Sequence, residues 1–416
     1  MQTIHRRDIE IIAPVGSWES LRAAIQGNAD AVYFGIEQLN MRSGSATNFR
    51  LDDLTRVITI AHAANLKTYL TLNTILYDRD LRQMQAIVDR AKTSGVDAVI
   101  ATDPAALTYI RHKGLPVHLS TQANVSNLEA LRFYAQFADL IVPARELTLE
   151  QIRTIATAIE SEQICGPSGA PVRLELFVHG ALCMAISGKC YLSLHQANHS
   201  ANRGECLQIC RRAYIARDKE TGAELEIDHE FIMSPKDLMT IHFLDKILAA
   251  GVNALKIEGR ARPPEYVRTV CECYSHAVSA VCEGCYSAEK IKDWQKRLAM
   301  VFNRGFWDGY YLGQRLGEWS SSYGSQATRR RCYLGKGVNY FKKQQVAEFI
   351  IEAGSLSVGE RVLITGPTTG VMEIVLDEIW VAENPVRTAG KGDHVTFRLA
   401  SPIRPSDRLY KLVNVS

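Results

Sequence analysis

The 416-residue sequence has no apolar stretch approaching the roughly 20 residues that a bilayer-spanning helix needs. Its start, MQTIHRRDIEIIAPVG, lacks the apolar core and small-residue cleavage site of a secretory signal. Hydrolase signatures are missing as well. There is no G-x-S-x-G and no P-loop, and His229-Glu230 is not followed by a histidine at the spacing of H-E-x-x-H. Charge of one sign is scarce: 48 Lys and Arg oppose 45 Asp and Glu, and the net +3 does not by itself announce nucleic acid. These absences exclude the familiar proteases and nucleotide hydrolases. They predict a cytoplasmic protein with no membrane partner.

Cysteine, by contrast, is plentiful. Ten cysteines in a chain read as cytosolic argue for reduced thiols and metal ligation over a disulfide framework. Cys183, Cys190, Cys206 and Cys210 fall in one stretch with the spacing C-x6-C-x15-C-x3-C. Thiolates are soft ligands, and four of them complete the shell of an iron–sulfur cluster or of zinc. Structural zinc usually shows paired C-x2-4-C knuckles, and only Cys206 and Cys210 are that close. The spacing leaves both metals open. Cys271, Cys273, Cys282 and Cys285 fall mostly on one predicted helix, where residues two apart point away from each other, so they read as buried or incidental. Cys165 and Cys332 stand alone.

A faint repeat organises the first three quarters. GNADAVYFG (27–35), GVDAVIATD (95–103) and GVNALKIEG (251–259) each place a glycine suited to a helix end, a polar turn and an apolar run rich in β-formers. Similar runs at 9–15, 66–73, 116–122, 140–145 and 173–180 bring the number of predicted strands to eight. Helices with readable starts separate them: Asp103 before Pro104, and the capping boxes Ser126-x-x-Glu129 and Thr148-x-x-Gln151. Nearly continuous apolar strands alternating with helices imply a parallel sheet covered on both faces, and eight units favour a closed (β/α)8 barrel over 1–325. A doubly wound sheet is the alternative, but no G-x-G-x-x-G follows the first strand. Residues 181–235 interrupt the pattern after the seventh strand and carry the cysteine quartet. The Ser- and Gly-rich stretch 318–328 reads as a linker. Short strands punctuated by Gly, Pro and Asn over 326–416 predict a small all-β barrel.

A barrel gathers side chains from the C-terminal ends of its strands into one pocket. The candidates for catalysis there are His179, Asp237, Lys256 and Glu258; those for substrate contact are Gln122, Asn124, Arg145, Lys236 and Arg260. Several cations suit an anionic small molecule, because guanidinium matches carboxylate in a two-pronged fork. Internal ion pairs, such as Lys256 or Arg260 with Glu258, are the structural alternative. Lys256 and Glu258 share strand parity and so face one side. The tail holds 13 Lys and Arg against 9 Asp and Glu, which leaves 35 against 36 in the rest. Its excess includes Arg329, Arg330, Arg331, Lys342 and Lys343, either a solvated face or a contact for a polyanion.

At ELFVHGALCMAISGKCYLS the chain resembles the collagenase-like peptidase family, the thirty-second family of unknown mechanism. APVGSWESLRAAIQGNADAVYFG, HLSTQANVSN, PAREL, MSPKDL, ALKIEGR and NRGFWDGY resemble segments of that family in the same order. The chain is most similar to its branch of bacterial tRNA hydroxylation proteins; other branches hydroxylate ribosomal RNA or, as paired subunits, a quinone ring. The resemblance implies a [4Fe-4S] cluster held by Cys183, Cys190, Cys206 and Cys210. It also implies oxygen-independent hydroxylation with the dicarboxylate prephenate as hydroxyl source, and a tRNA substrate modified to 5-hydroxyuridine at the wobble position. The tail resembles the second-domain barrel of translation GTPases. The rival expectations are a zinc-stabilised protease or peptide-binding protein and a non-catalytic RNA-binding accessory.

Overall fold

The computed structural model describes residues 4–44, 46–225, 233–313, 317–321 and 324–415. His229 and Glu230, and part of the 318–328 stretch, lie outside the described residues. Eight strands, β1 (Glu10–Val15), β2 (Ala31–Phe34), β3 (Lys67–Leu72), β4 (Ala98–Ala101), β5 (Val117–Leu119), β6 (Leu140–Ile141), β7 (Arg173–Gly180) and β8 (Ala254–Ile257), pair in chain order and in parallel. The ring closes at β8, where Ala254 lies opposite Glu175 of β7 on one side and Glu10 of β1 on the other. Every residue of β1, β2 and β4 is buried, as strands covered by helices outside and by side chains within must be. This is the closed (β/α)8 barrel that the repeat predicts.

Helix starts follow local chemistry. Asp103 accepts a hydrogen bond from the Ala105 N–H ahead of the helix Pro104–His112. Thr148 and Gln151 satisfy each other's backbone N–H groups. The cap expected at Ser126 is instead Asn127, whose Oδ1 accepts from the Ala130 N–H at 2.8 Å. An amide oxygen in the extended conformation reaches the third helical N–H as well as a hydroxyl does.

After β7 the chain leaves the ring for the cysteine segment and returns as a short strand, Asp237–Met239. It runs antiparallel to the end of β7 and parallel to Phe306–Trp307. No apolar run marks this strand in the sequence, because it is three residues long and opens on a charged one. The stretch expected to be a linker is fastened to it. Ser320 N–H donates to Ser234 O at 2.8 Å, Lys236 N–H donates to Glu318 O at 2.9 Å, and Trp319 bridges Pro235.

From β9 (Arg329–Phe341) onward an eight-stranded antiparallel sheet encloses a second core that includes Phe349, Val362, Ile364, Val395 and Leu409. It docks on the outside of the barrel. Gln26 donates to Thr369 O at 3.1 Å and accepts from Val371 N–H at 2.9 Å, and Arg268 donates to Val371 O at 2.9 Å. Leu363, Val371 and Tyr410 extend the larger core across this contact. Among the described residues no helix is long and apolar enough to cross a membrane.

Adjacent strand ends at the mouth of the barrel leave no room for a side chain at Gly16, directly after β1. A Cβ there would strike the Arg260 carbonyl oxygen, a backbone atom that cannot swing aside. Gly16→Ala is therefore expected to cost about 1–3 kcal/mol in urea unfolding, the range for overpacking. A neutral result would mean the strand ends are looser than described.

Candidate active site at the mouth of the barrel

The inward parity of β8 continues past its end, so Lys256, Glu258 and Arg260 all line one cavity at the C-terminal ends of the strands. Gln122 and Arg145, from the loops after β5 and β6, line it too. So does Arg42, from the loop after β2. The cysteine segment forms the roof through Cys183, Ser187, Gly188, Cys190 and Cys206. Gln122 Nε2 donates to Ser187 Oγ at 3.2 Å, and a Cβ on Gly188 (φ +78°) would fall against Gln122 Oε1. The roof is thus fitted to the wall.

Charges in this cavity sort into pairs and a remainder. Glu258 Oε1 accepts from Arg42 Nη2 at 2.8 Å. Burial alone would raise the Glu258 pKa, but Arg42 and then Arg262 outweigh it and hold the carboxyl down at about 2. Lys256 Nζ donates to Glu175 Oε1 at 2.7 Å, with both side chains almost wholly buried. Burial pushes the Lys256 ammonium down from its ordinary value; the Glu175 charge opposes that, and Arg260 and Arg145 add to it. Arg260 Nη1 donates to Asn40 Oδ1 and Thr71 Oγ1, each at 2.9 Å. Burial, then the neighbouring Arg42, lowers Arg260 to about 10 against the pull of Tyr33, so it stays a cation at neutral pH. Arg145 lies 3.8 Å over the Phe177 ring and donates to Ala181 O at 3.2 Å, while its buried Nε has no partner. Arg145 and Arg260 are therefore two guanidiniums with no ion-paired carboxylate among the described residues.

All ten cysteines are uncrosslinked. Three of the quartet line the cavity, and the fourth sits close behind: burial pushes the Cys210 thiol up, Arg211 opposes this, and Cys183, Cys206 and Cys190 add to it. Among the described residues no three His, Cys, Asp or Glu side chains are drawn together as a metal-binding group. The donor chemistry nevertheless fits a thiolate-bound group. Four soft ligands hang from loops turned by Gly188, Asn198 and Gly204 at positive φ, with Arg42 and Arg211 near enough to offset thiolate charge. Cys271 and Cys273 are buried in the helix Pro264–Cys282, and Cys285 is exposed beyond it.

The remaining candidates are placed elsewhere. Asn124 lines an adjoining pocket with Arg145, Glu146 and Cys183. His179 shares the parity of Glu175 and Phe177, yet it is not among the cavity-lining residues. The register of β7 on β8 slips between Lys256 and Ile257, which sets His179 among Tyr266, Tyr274 and Phe306. Burial holds His179 near pKa 3, a neutral ring at physiological pH. Asp237 is buried against Arg262 (3.2 Å) and Arg304 (3.4 Å), where it ties two loops together. Lys236 pairs with Glu318 at 2.6 Å, outside the cavity. In the tail, Arg329 forks onto Glu373 (2.9 and 3.0 Å) and Arg331 reaches Glu265 on the barrel at 3.0 Å. Arg330, Lys342 and Lys343 are exposed. Two functional groups escaped the sequence reading. Glu175 carried a signal, a lone carboxylate inside the apolar run LELFV. Arg42 carried none.

Two measurements probe these charges. Glu175→Leu should destabilise the protein by about 3–5 kcal/mol, because the Lys256 ammonium is left buried without its partner, and adding Lys256→Met should recover most of that loss. A cost below 1 kcal/mol in urea titration would mean the pair is not ionised. Glu258 works in the acid range. Its folded pKa lies below the ordinary 4.5, so its contribution is complete above that value and is lost as pH falls toward about 2. Glu258→Gln should flatten this part of the acid limb of stability against pH, and an unchanged limb would remove the ion pair with Arg42 from the account.

The chain is 56% identical over 404 residues to a Porphyromonas gingivalis protein named collagenase, covering 97% of this chain and 98% of that protein. It is 32% identical to the tRNA hydroxylation protein P of Helicobacter pylori, over 73% of this chain and 72% of the relative. It is 34% identical to the 23S rRNA 5-hydroxycytidine synthase of Escherichia coli, over 68% of this chain and 41% of the relative. The pattern of Peptidase family U32 matches residues 16–321, a span that runs from Gly16 at the end of β1 past the cysteine segment and β8. The protein belongs to peptidase family U32.

Proposed function

We propose that the protein is a tRNA-modifying enzyme that hydroxylates the wobble uridine to 5-hydroxyuridine without molecular oxygen, taking the hydroxyl group from prephenate. The observation that carries the reading is the pairing of two features in one cavity: thiols on the roof, and Arg145 and Arg260 on the wall without carboxylate partners. A dicarboxylate presents two anionic ends to two such guanidiniums. Arg42 and Lys256 are already committed to Glu258 and Glu175 and would orient the substrate more than neutralise it. Cys183, Cys190, Cys206 and Cys210 would hold a [4Fe-4S] cluster, which supplies Lewis acidity or one-electron transfer when bound. An unpaired anticodon base costs little to splay into a pocket of this kind. Relatives that carry the names of tRNA and rRNA hydroxylating proteins support an RNA substrate. Arg330, Lys342 and Lys343 are free to meet phosphates, whereas Arg329 and Arg331 serve internal ion pairs. Such an enzyme works in the cytoplasm.

The name of the 56%-identical relative favours a peptidase instead. That chemistry needs a base beside a nucleophile or a metal-bound water. Ser120, Thr121 and Ser187 line the cavity, but no histidine does among the described residues.

Nucleoside mass spectrometry of tRNA from a deletion strain should show loss of wobble 5-hydroxyuridine, restored by the wild-type gene. Cys183→Ser should lose bound iron and the modification together, while Cys285→Ser keeps both. Unchanged wobble uridines in the deletion strain would end the hydroxylase reading, and a colourless protein with one zinc that cleaves gelatin would establish the peptidase.

A further inference from the structure

Large apolar side chains left in solvent are unevenly spread over this molecule. Met184, Ile186, Tyr191, Leu207 and Ile215 all belong to the cysteine segment, and Tyr191 and Ile215 are each 77% exposed. Tyr77, 50% exposed, and Ile75 stand beside that segment. Ile75 N–H donates to Asn202 O at 3.1 Å, Arg203 Nη1 donates to Ile75 O at 2.8 Å, and the Arg203 guanidinium lies 4.3 Å over the Tyr77 ring. Part of this patch borders the cavity: Cys190, next to Tyr191, lines it, as does Ala201 beside the Asn202 contact. Exposed apolar side chains in this density mark a binding surface.

The charge around the thiols is mainly positive. Residues 181–217 contain Lys189, Arg203, Arg211, Arg212 and Arg217 against Glu205, while Asp218, Glu220 and Glu224 follow farther along the segment and Asp78 and Asp80 flank Tyr77. Arg203 is committed to Asp80, and Arg211 donates to the Pro235 and Leu182 carbonyl oxygens and to Ser234. Lys189, Arg212 and Arg217 are exposed, and no carboxylate pairs with them among the described residues. Exposed rings interleaved with free cations are what a single-stranded nucleic acid requires, since bases stack on aromatic faces while phosphates meet the cations. The core of a protein–protein interface is instead depleted of lysine.

We propose that this collar receives a single-stranded RNA loop, with bases flanking the reacting nucleotide stacked on Tyr191 and Tyr77 and phosphates facing Lys189 and Arg212. The proposal rests on the RNA-modifying reading above and gives that reading a docking surface at the cavity itself. Duplex RNA would not use it, because paired bases offer no free faces.

The test is binding of a labelled anticodon stem-loop RNA to the anaerobically purified full chain, with an all-duplex RNA of equal length as control. Loss of one base–aromatic stack weakens binding by about 5- to 150-fold. Tyr191→Ala should therefore weaken stem-loop binding at least about 5-fold. Tyr191→Phe should stay within about twofold of wild type, and the duplex control should not respond to either. Tyr77→Ala, distant in sequence from every cysteine, should also weaken the stem-loop and carries the test if Tyr191→Ala loses iron. Stem-loop binding by the wild type that neither alanine variant changes would overturn the collar and leave the patch to a protein partner. A wild type that neither binds the stem-loop nor alters tRNA in cells would overturn the RNA reading itself.

Discussion

An ammonium group buried inside a closed ring of strands governs this architecture. Lys256 enters the barrel on its last strand and meets Glu175 across the β7–β8 seam at 2.7 Å. Two charges cannot be taken out of water cheaply, so the ring must close with these strands adjacent and in this register. Once it does, the alternation that turns Lys256 inward also delivers Glu258 and Arg260 to the mouth. The slip in register just after Lys256 has a second effect: it keeps Phe177 under Arg145 and turns His179 away into the packing beneath Tyr266 and Tyr274. A single seam thus decides which polar residues face the cavity.

The largely apolar interior below that pair also holds several polar groups. Glu10, at the opposite end of the barrel, is held below the ordinary carboxylate range: burial raises it, and Arg173, Tyr69 and Lys67 together outweigh burial. His118, beside Tyr69, is driven down to about 3 by burial and stays neutral. The buried Glu175 Oε2 and His118 Nδ1 have no partners. Each unpaired buried atom costs stability, and a barrel filled only with branched apolar residues would avoid that cost. The electrostatic consequence lies at the mouth. Glu175 and Glu258 neutralise Lys256 and Arg42, and the field of Arg145 and Arg260 is left to act on whatever enters.

The eight barrel strands were legible because strands buried on both faces must be apolar throughout, and apolar runs between turn residues are what a sequence displays most openly. Capping residues were nearly as legible; the cap expected at Ser126 falls one position later, on Asn127, which takes the Ala130 N–H. The short strand Asp237–Met239 was not, since three residues opening on an aspartate carry no periodicity. The fastening of Glu318 and Ser320 was equally hidden, because it uses backbone bonds to residues some 80 positions away. At the site, parity found Lys256, Glu258 and Arg260, and it failed at His179 because a bulge leaves no mark in composition. Arg42 comes from a loop and finds Glu258 216 residues away, a pairing that only the closed ring creates.

The tail shows how far net charge misleads when it is read without partners. Its positive excess leaves a solvated face and a polyanion contact equally open. Yet Arg329 is spent on Glu373 within the tail, and Arg331 on Glu265 of the barrel, so only the second pair joins the two domains and both cations attract little from outside. Other tail cations, Arg330 and the hairpin-tip Lys342 and Lys343 beside the exposed Phe341 among them, have no carboxylate partner among the described residues, but none of them lines the cavity. The cysteine segment has fewer cations in total, but Lys189, Arg212 and Arg217 carry no carboxylate partner among the described residues, and the segment borders the cavity. For an enzyme that must bring one nucleotide to one set of groups, attraction at the cavity counts for more than attraction elsewhere, because a phosphate bound far away fixes neither the register nor the orientation of the base. On the proposed RNA-modifying reading the tail would add affinity, and the segment that carries the thiols would decide which nucleotide is presented to the barrel.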